Sequence, residues 1–327
     1  MARTDLSYEE LIDYRAAVAE PGDFDIFWND TIAEARSFDL NVRLTPVDTP
    51  YRTVEISDAS FCGYAGDRIN AWLLRPRHEE GPRPAVVEFI GYNGGRDLPG
   101  AFLSWASAGY THLLVDTRGQ GSVWGGGGTT ADPHGAGPQA PGFMTKGIED
   151  PKSYYYRRVF VDALRALEVV RSLPDVDVSS VAVQGISQGG GITLAAAGLA
   201  SDLVAVMPDV PFLCHFRRAV DICDQDPYAE ITRYLAVHRG AGNTAFATLS
   251  YFDAVNFAKR ASAPALFSVA LMDQVCPPST VYAAYHAYAG AKDIVVYPFN
   301  DHEGGLTHQR LAQINWLNRL IGFDSGT

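Results

Sequence analysis

Ser187 stands where a hydroxyl could be turned into a nucleophile. In "VSSVAVQGISQGGGITLAAAG", residues 178–198, small and β-branched apolar residues run into a glycine cluster with this serine in its middle. "GISQG" fits the G-x-S-x-G elbow, a strained strand-to-helix turn that lifts the hydroxyl above a sheet, and its glycines give the tight backbone room. A dinucleotide loop is the rival use of such glycines. It needs glycine where Ser187 stands, because that bare position lets pyrophosphate approach the backbone.

A serine hydroxyl is a poor nucleophile near neutral pH, so it requires a base, and the base requires an orienting acid. The elbow predicts the chain order Ser, then Asp or Glu, then His. Downstream histidines are His215, His238, His286, His302 and His308. His302 follows the last apolar strand pattern, "IVVYPF", in the short loop "NDHEGG", where a rigid sheet can present an imidazole to its neighbour. His308 begins or precedes the final helix and reads as a solvated or capping residue, and His286 falls inside a helical pattern. "HEGGL" is no zinc signature, since H-E-x-x-H needs histidine at position 306, which is Leu306. Two acids follow strands, Asp209 in "VMPDVPF" and Asp273 in "VALMDQVCPP". Asp273 is favoured because its strand should neighbour the one that delivers His302, and Asp209 is read as capping the next segment.

Acyl transfer also needs backbone N–H groups where charge develops on the carbonyl oxygen. One donor is expected from Gln188, the residue after the nucleophile, and the other from the loop after the third strand, "GYNGGRD", where Tyr92 is the candidate.

These residues require a sheet to hold them. "SYEELIDYR" opens with Ser7 and Glu10 at capping-box spacing, and "FDIFWNDTIAEARSF" continues as an amphipathic helix. Together they predict a helical extension over about residues 1–45. "YRTVEISDASF" and "RINAWLLRP" read as antiparallel strands joined near Gly66 and Asp67. From Pro84 onward, apolar strands alternate with helices: "AVVEFIG", the helix "LPGAFLSWASAG", "THLLVDT", the long helix "YYYRRVFVDALRALEVVRSL", and "SVAVQG" leading into Ser187. Helix 188–200, strand "LVAVMPD", a helical stretch over about 212–258, strand "APALFSVALMD", helix "STVYAAYHAYAG", strand "KDIVVYPF" and helix "LAQINWLNRLIG" follow. This pattern predicts an α/β fold in one domain, 1–327, with a mostly parallel central sheet and helices on both faces. Ligands of such sheets bind beyond the carboxyl ends of the strands.

Composition narrows the function classes. Acids outnumber bases 38 to 26 and the net charge is −12, which argues against a phosphate-backbone partner, so no nucleic acid is expected. No apolar run approaches the roughly 20 residues needed to cross a bilayer, so no membrane partner is expected either. The N-terminal "MARTDLSYEELIDYRAAVAE" lacks an uninterrupted apolar stretch and does not read as a signal peptide, which predicts a cytoplasmic location. Cys62, Cys214, Cys223 and Cys276 match no metal knuckle and are expected to be free thiols.

"GYNGG", "RGQG" at 118–121, "GISQGGG", "LMDQVCPPSTVYAAY" and "YPFNDHEGG" together resemble the acetyl xylan esterase and cephalosporin C deacetylase family, carbohydrate esterase family seven. The resemblance runs from "EPGDFDIFW" to His302. It implies an α/β-hydrolase fold, Ser187, Asp273 and His302 as the catalytic residues, and the amides of Tyr92 and Gln188 as the oxyanion hole. It also implies no metal or other cofactor. The substrates it implies are small acetylated xylo-oligosaccharides or cephalosporins, deacetylated through an acetyl-enzyme. A homohexamer whose active sites face an inner cavity is implied as well. An esterase or peptidase of other specificity, or a non-catalytic binding protein, are the alternatives on the same scaffold. Arg118 is expected to hold the Gly-rich loop over 118–142 by charge-assisted hydrogen bonds. Trp124 either lines the pocket or covers the core, and "SYYYRR" at 153–158 is expected to pack a helix.

Overall fold

The structure, a computed structural model, describes residues 4–77, 81–135 and 137–323. Nine strands form one sheet: β1 (Arg43–Val47), β2 (Val54–Cys62), β3 (Arg68–Pro76), β4 (Arg83–Phe89), β5 (Thr111–Val115), β6 (Val176–Ile186), β7 (Ala205–Asp209), β8 (Ala265–Ala270) and β9 (Lys292–Tyr297). Their spatial order is β1-β2-β3-β5-β4-β6-β7-β8-β9. The first three strands are antiparallel to their neighbours, and every pairing from β5 through β9 is parallel. The predicted fold class holds, and its cause is visible: β5, β7 and β8 are buried along their whole length, as strands covered on both faces must be.

The helix Tyr155–Ser172 crosses from β5 to β6 and buries nearly every side chain it has. Helix Gln188–Leu199 follows β6 and is buried over its first ten residues, which explains its run of glycines and alanines: larger side chains would not fit between the sheet and the helix Ala254–Ala258. Gly198, for instance, would carry a Cβ 2.6 Å from the Phe257 carbonyl oxygen.

Three local expectations change. Strand β1 is absent from the expected strands and overlaps the end of the expected helical extension, whose second helix ends at Arg36. Its signal is weak because β1 is an exposed edge strand with Pro46 in it, so it carries neither alternation nor a hydrophobic run. The helix expected over "LPGAFLSWASAG" contracts to Ser104–Ser107. Gly100 there has φ +94°, and a Cβ on it would meet the Tyr51 ring at 2.2 Å, so the chain turns where the hydrophobic pattern continues. The stretch over 212–258 divides into four helices, Phe216–Ile222, Tyr228–Val237, Gly242–Ser250 and Ala254–Ala258.

The N-terminal segment is fastened to this framework. Ser7 and Glu10 form both bonds of the capping box, and the Trp28 indole N–H of helix Phe24–Arg36 donates to the Tyr251 carbonyl at 3.0 Å.

Candidate active site

Ser187 lies between the end of β6 and helix Gln188–Leu199 with φ 56° and ψ −118°, a conformation side chains rarely adopt. Holding a non-glycine residue in such a sparsely populated region costs about 1–3 kcal/mol. The surroundings enforce it. The Ser187 N–H donates to the Asp209 carbonyl and the Phe212 N–H to the Ser187 carbonyl, each at 2.9 Å. Two motif glycines are needed for close approach: a Cβ on Gly185 would lie 2.3 Å from the Gly189 backbone, and one on Gly189 would lie 2.1 Å from the Phe89 carbonyl oxygen.

The turn aims the hydroxyl at the loop after β9. His302 Nε2 is 2.9 Å from Ser187 Oγ, and His302 Nδ1 is 2.8 Å from Asp273 Oδ2. Asp273 follows β8, the strand beside β9, so neighbouring parallel strands present acid and imidazole side by side. The other oxygen of Asp273 accepts the N–H groups of Val275 and Cys276 at 2.8 Å, which fixes the carboxylate. With Asp273 as acceptor, the proton is assigned to Nδ1, leaving the Nε2 lone pair toward the serine. Burial of the ring works to lower the His302 pKa, but the hydrogen bond and charge of Asp273, with Asp301 and Asp209 beyond, outweigh it and leave the imidazole above its ordinary value.

Asp209 does not cap the next segment as expected. Its carboxylate, at the buried end of β7, accepts a hydrogen bond from the Ser268 hydroxyl, and burial pushes its pKa up to about 6.

Gln188 begins its helix, so its amide N–H is among those a first turn leaves without an intrahelical partner. Its side chain reaches the other way, with Nε2 donating to the Ile90 carbonyl at 3.1 Å and Oε1 accepting from Gln120 at 2.8 Å and from the Tyr156 hydroxyl at 2.9 Å. Gln120 in turn accepts the Asn93 N–H at 2.7 Å. One amide pair thus ties the elbow to the loop that carries Tyr92. Gln120 was legible only as part of a quoted motif, because no sequence spacing links it to Gln188.

A cleft of about 340 Å³ opens over these groups, lined among others by Gly91, Tyr92, Ser187, Pro227, Val275 and His302. Trp124 resolves as a pocket residue: it lines the same cleft, and its indole N–H donates to the Tyr92 carbonyl at 2.7 Å. Asp226 and Pro227, which no motif or spacing singles out, form part of the wall.

Arg118 is fully buried, with bidentate bonds to Asp162 at 2.5 and 2.8 Å and one to Asp67 at 2.9 Å, and it meets the expected Gly-rich loop through Asp132 at 3.4 Å. Tyr154, Tyr155 and Tyr156 are fully buried in the core, and two of their hydroxyls also serve the amide network: Tyr155 accepts from Gln120 and Tyr156 donates to Gln188. The remaining downstream histidines are engaged elsewhere. His215 meets the Tyr14 hydroxyl, His238 stacks on Tyr234, His286 Nε2 donates to the Leu11 carbonyl, and His308 lies in the first turn of the last helix. All four cysteines are buried free thiols. Among the described residues, one group has metal-ligating atoms close together, Asp273, Cys276 and His302, within 4.8 Å of one another. Asp273 and His302 are already hydrogen-bonded to each other, and His302 also to Ser187.

Comparison with known proteins gives the family. The family model for acetyl xylan esterase (AXE1) matches residues 1–320. The acetyl esterase Axe7A of Xylanibacter ruminicola is 28% identical over 321 residues, covering 92% of this chain and 67% of that protein. The solved acetyl xylan esterase from Paenibacillus sp. R4 is 39% identical with a TM-score of 0.91, covering 96% of this chain and 99% of that one. Acetyl xylan esterase 1 from Thermoanaerobacterium sp. JW/SL YS485 is 35% identical with a TM-score of 0.89, covering 97% and 99%. A Pyrococcus horikoshii acylaminoacyl peptidase, 18% identical with a TM-score of 0.60 over 84% of this chain and 42% of that one, shares the fold alone. A match over nearly the whole chain, on a parallel sheet that presents Ser187, His302 and Asp273 in one hydrogen-bonded line, shows that this protein belongs to the acetyl xylan esterase family.

Proposed function

We propose that the protein, as one α/β-hydrolase domain, is a serine esterase that removes acetyl groups from small acetylated xylo-oligosaccharides, from cephalosporins, or from both. The observation that carries this is the Ser187–His302–Asp273 line beneath a small, largely apolar cleft. Ser187 Oγ attacks the acetyl carbonyl carbon as His302 Nε2 takes its proton, and Asp273 stabilises the imidazolium that forms. The negative charge on the carbonyl oxygen is met by the backbone amides of Tyr92 and Gln188. Collapse breaks the ester bond, and His302 returns the proton to the leaving sugar or cephalosporin hydroxyl, leaving Ser187 acetylated. Water, giving its proton to His302, then attacks the acetyl carbon; the bond to Ser187 Oγ breaks, His302 returns the proton to Oγ, and acetate is released.

The nucleophile is activated by a neighbouring base, so the reading requires no metal, and incubation with a chelator should leave the rate unchanged. A cytoplasmic location and a closed homohexamer complete the reading. The four buried free thiols support the first, and no helix among the described residues is long and apolar enough to cross a membrane. The second rests on the family resemblance, and light scattering tests it.

A series of chromogenic acetyl, butyryl and octanoyl esters with an aminoacyl anilide tests the specificity. Each methylene that does not fit a pocket loses on the order of 1–3 kcal/mol of transition-state binding, so acetyl should lead and octanoyl should be very poor. A faster octanoyl ester or anilide would assign the protein to another specificity on the same scaffold.

A further inference from the structure

We propose that Glu230 is a positioning residue for ester hydrolysis, which holds the Tyr92 segment through the tyrosine hydroxyl so that the Tyr92 amide keeps its aim at the oxyanion.

Glu230 lies in helix Tyr228–Val237, directly after the pocket residues Asp226 and Pro227, and is itself buried. It touches no part of the Ser187–His302–Asp273 line in any hydrogen bond. Instead, its Oε1 accepts the Tyr92 hydroxyl at 2.7 Å and its Oε2 accepts the Met144 N–H at 3.0 Å. The Tyr92 hydroxyl accepts the Phe143 N–H at 2.6 Å, which closes a ring of hydrogen bonds between the helix, the Gly-rich loop and the segment after β4. Gly142 makes room for it: φ there is +113°, and a Cβ would lie 2.1 Å from the Glu230 carboxylate. A buried carboxylate that only filled space would be a poor choice, because burying charge is costly unless its lone pairs are met. Here they are met by the side chain of a proposed oxyanion residue and by the loop packed against it.

The two ends of Tyr92 therefore do different things. Its hydroxyl is anchored to Glu230, its carbonyl accepts the Trp124 indole N–H, and the residue lines the cleft beside Ser187. An oxyanion donor stabilises the transition state only if it is held at hydrogen-bond distance from the developing charge. Loosening the anchor should lower kcat and spare ground-state binding.

This inference rests on the acetyl-enzyme reading, and the test separates the two. Tyr92→Phe keeps the ring and the amide and removes only the hydroxyl; Glu230→Gln keeps the shape but replaces one of the two acceptor oxygens with an NH₂ that cannot accept. Since outright removal of an oxyanion donor costs about 10²–10³ in kcat, each variant is expected to lose roughly tenfold or more in kcat on a chromogenic acetyl ester. KM should stay within about twofold. Inhibition by an alkyl boronic acid, which forms a tetrahedral adduct on serine, should weaken in parallel. The double variant should be no worse than the poorer single one, because both changes act through the same Tyr92–Glu230 contact. Thermal melting establishes that the proteins are folded, and if Glu230→Gln does not fold, Tyr92→Phe alone decides the kcat question. Wild-type kcat in Tyr92→Phe, losses confined to KM, or losses that multiply in the double variant overturn the positioning role. Full turnover by Ser187→Ala would instead overturn the acetyl-enzyme reading.

Discussion

The carboxamides of Gln120 and Gln188 lie face to face in the core, with Gln120 Nε2 2.8 Å from Gln188 Oε1 and Gln188 Nε2 3.2 Å from Gln120 Oε1. This pair joins three separate stretches of chain: the turn after β5, the elbow after β6, and, through the Asn93 N–H, the loop after β4. Both side chains are buried, so every polar atom in the pair has to be matched. The consequence is geometric. The backbone of Gln188 cannot shift against the loop that carries Tyr92 without straining these bonds.

Gln120→Leu should accordingly cost both stability and rate. It leaves the Asn93 N–H and the Gln188 side-chain oxygen each short of a partner, and an unsatisfied buried group costs about 1–3 kcal/mol. Urea denaturation should show a loss of this size or larger, together with a fall in kcat on an acetyl ester. A variant as stable and as fast as the parent would mean that the pair is incidental.

The two strand-end acids make opposite predictions. Asp273 bonds His302 directly and Asp209 does not. Removing the orienting charge from such an arrangement typically lowers kcat by roughly 10⁴, so Asp273→Asn should be nearly inactive while folded. Asp209→Asn keeps an acceptor for the Ser268 hydroxyl and acts on His302 only through the distance-weakened loss of one charge. It should retain most of the activity. Steady-state rates on one acetyl ester check both, and the reverse ranking would assign the acid role to Asp209.

The acid limb of the pH profile follows from His302. The imidazole must be neutral to accept the serine proton, and its pKa in the free protein is raised, with the downward pull of burial outweighed by Asp273, Asp301 and Asp209. Activity is therefore present above that pKa and lost as pH falls through it. The limb in kcat/KM should lie above the ordinary histidine value of about 6.5. Asp209→Asn removes one of the raising charges, so its limb should move to lower pH. A limb that moves upward in that variant contradicts the assignment.

Much of this site was legible in the sequence because its parts sit at strand ends. G-x-S-x-G marked the elbow, and the chain order left two acids and one loop histidine beyond the last strands. The parallel register of β8 and β9 then made Asp273 and His302 neighbours. What stayed hidden is lateral. Gln120 and Glu230 hold the Tyr92 segment from a turn and a helix, and Pro227 walls the cleft from a loop, through contacts that periodicity does not encode. Edge strand β1 was missed for a different reason: an exposed strand interrupted by Pro46 carries no hydrophobic pattern.

Reaction with a serine-directed phosphonate, followed by intact-protein mass spectrometry and peptide mapping, decides whether Ser187 is the nucleophile acylated in turnover. One phosphonyl adduct is expected, on Ser187, formed in step with loss of activity. Ser187→Ala should take up no label and retain only about 10³-fold of catalysis over water from the oxyanion donors and substrate binding. Labelling at another residue, or a Ser187→Ala protein that still turns over acetyl esters at the parent rate, would contradict that role.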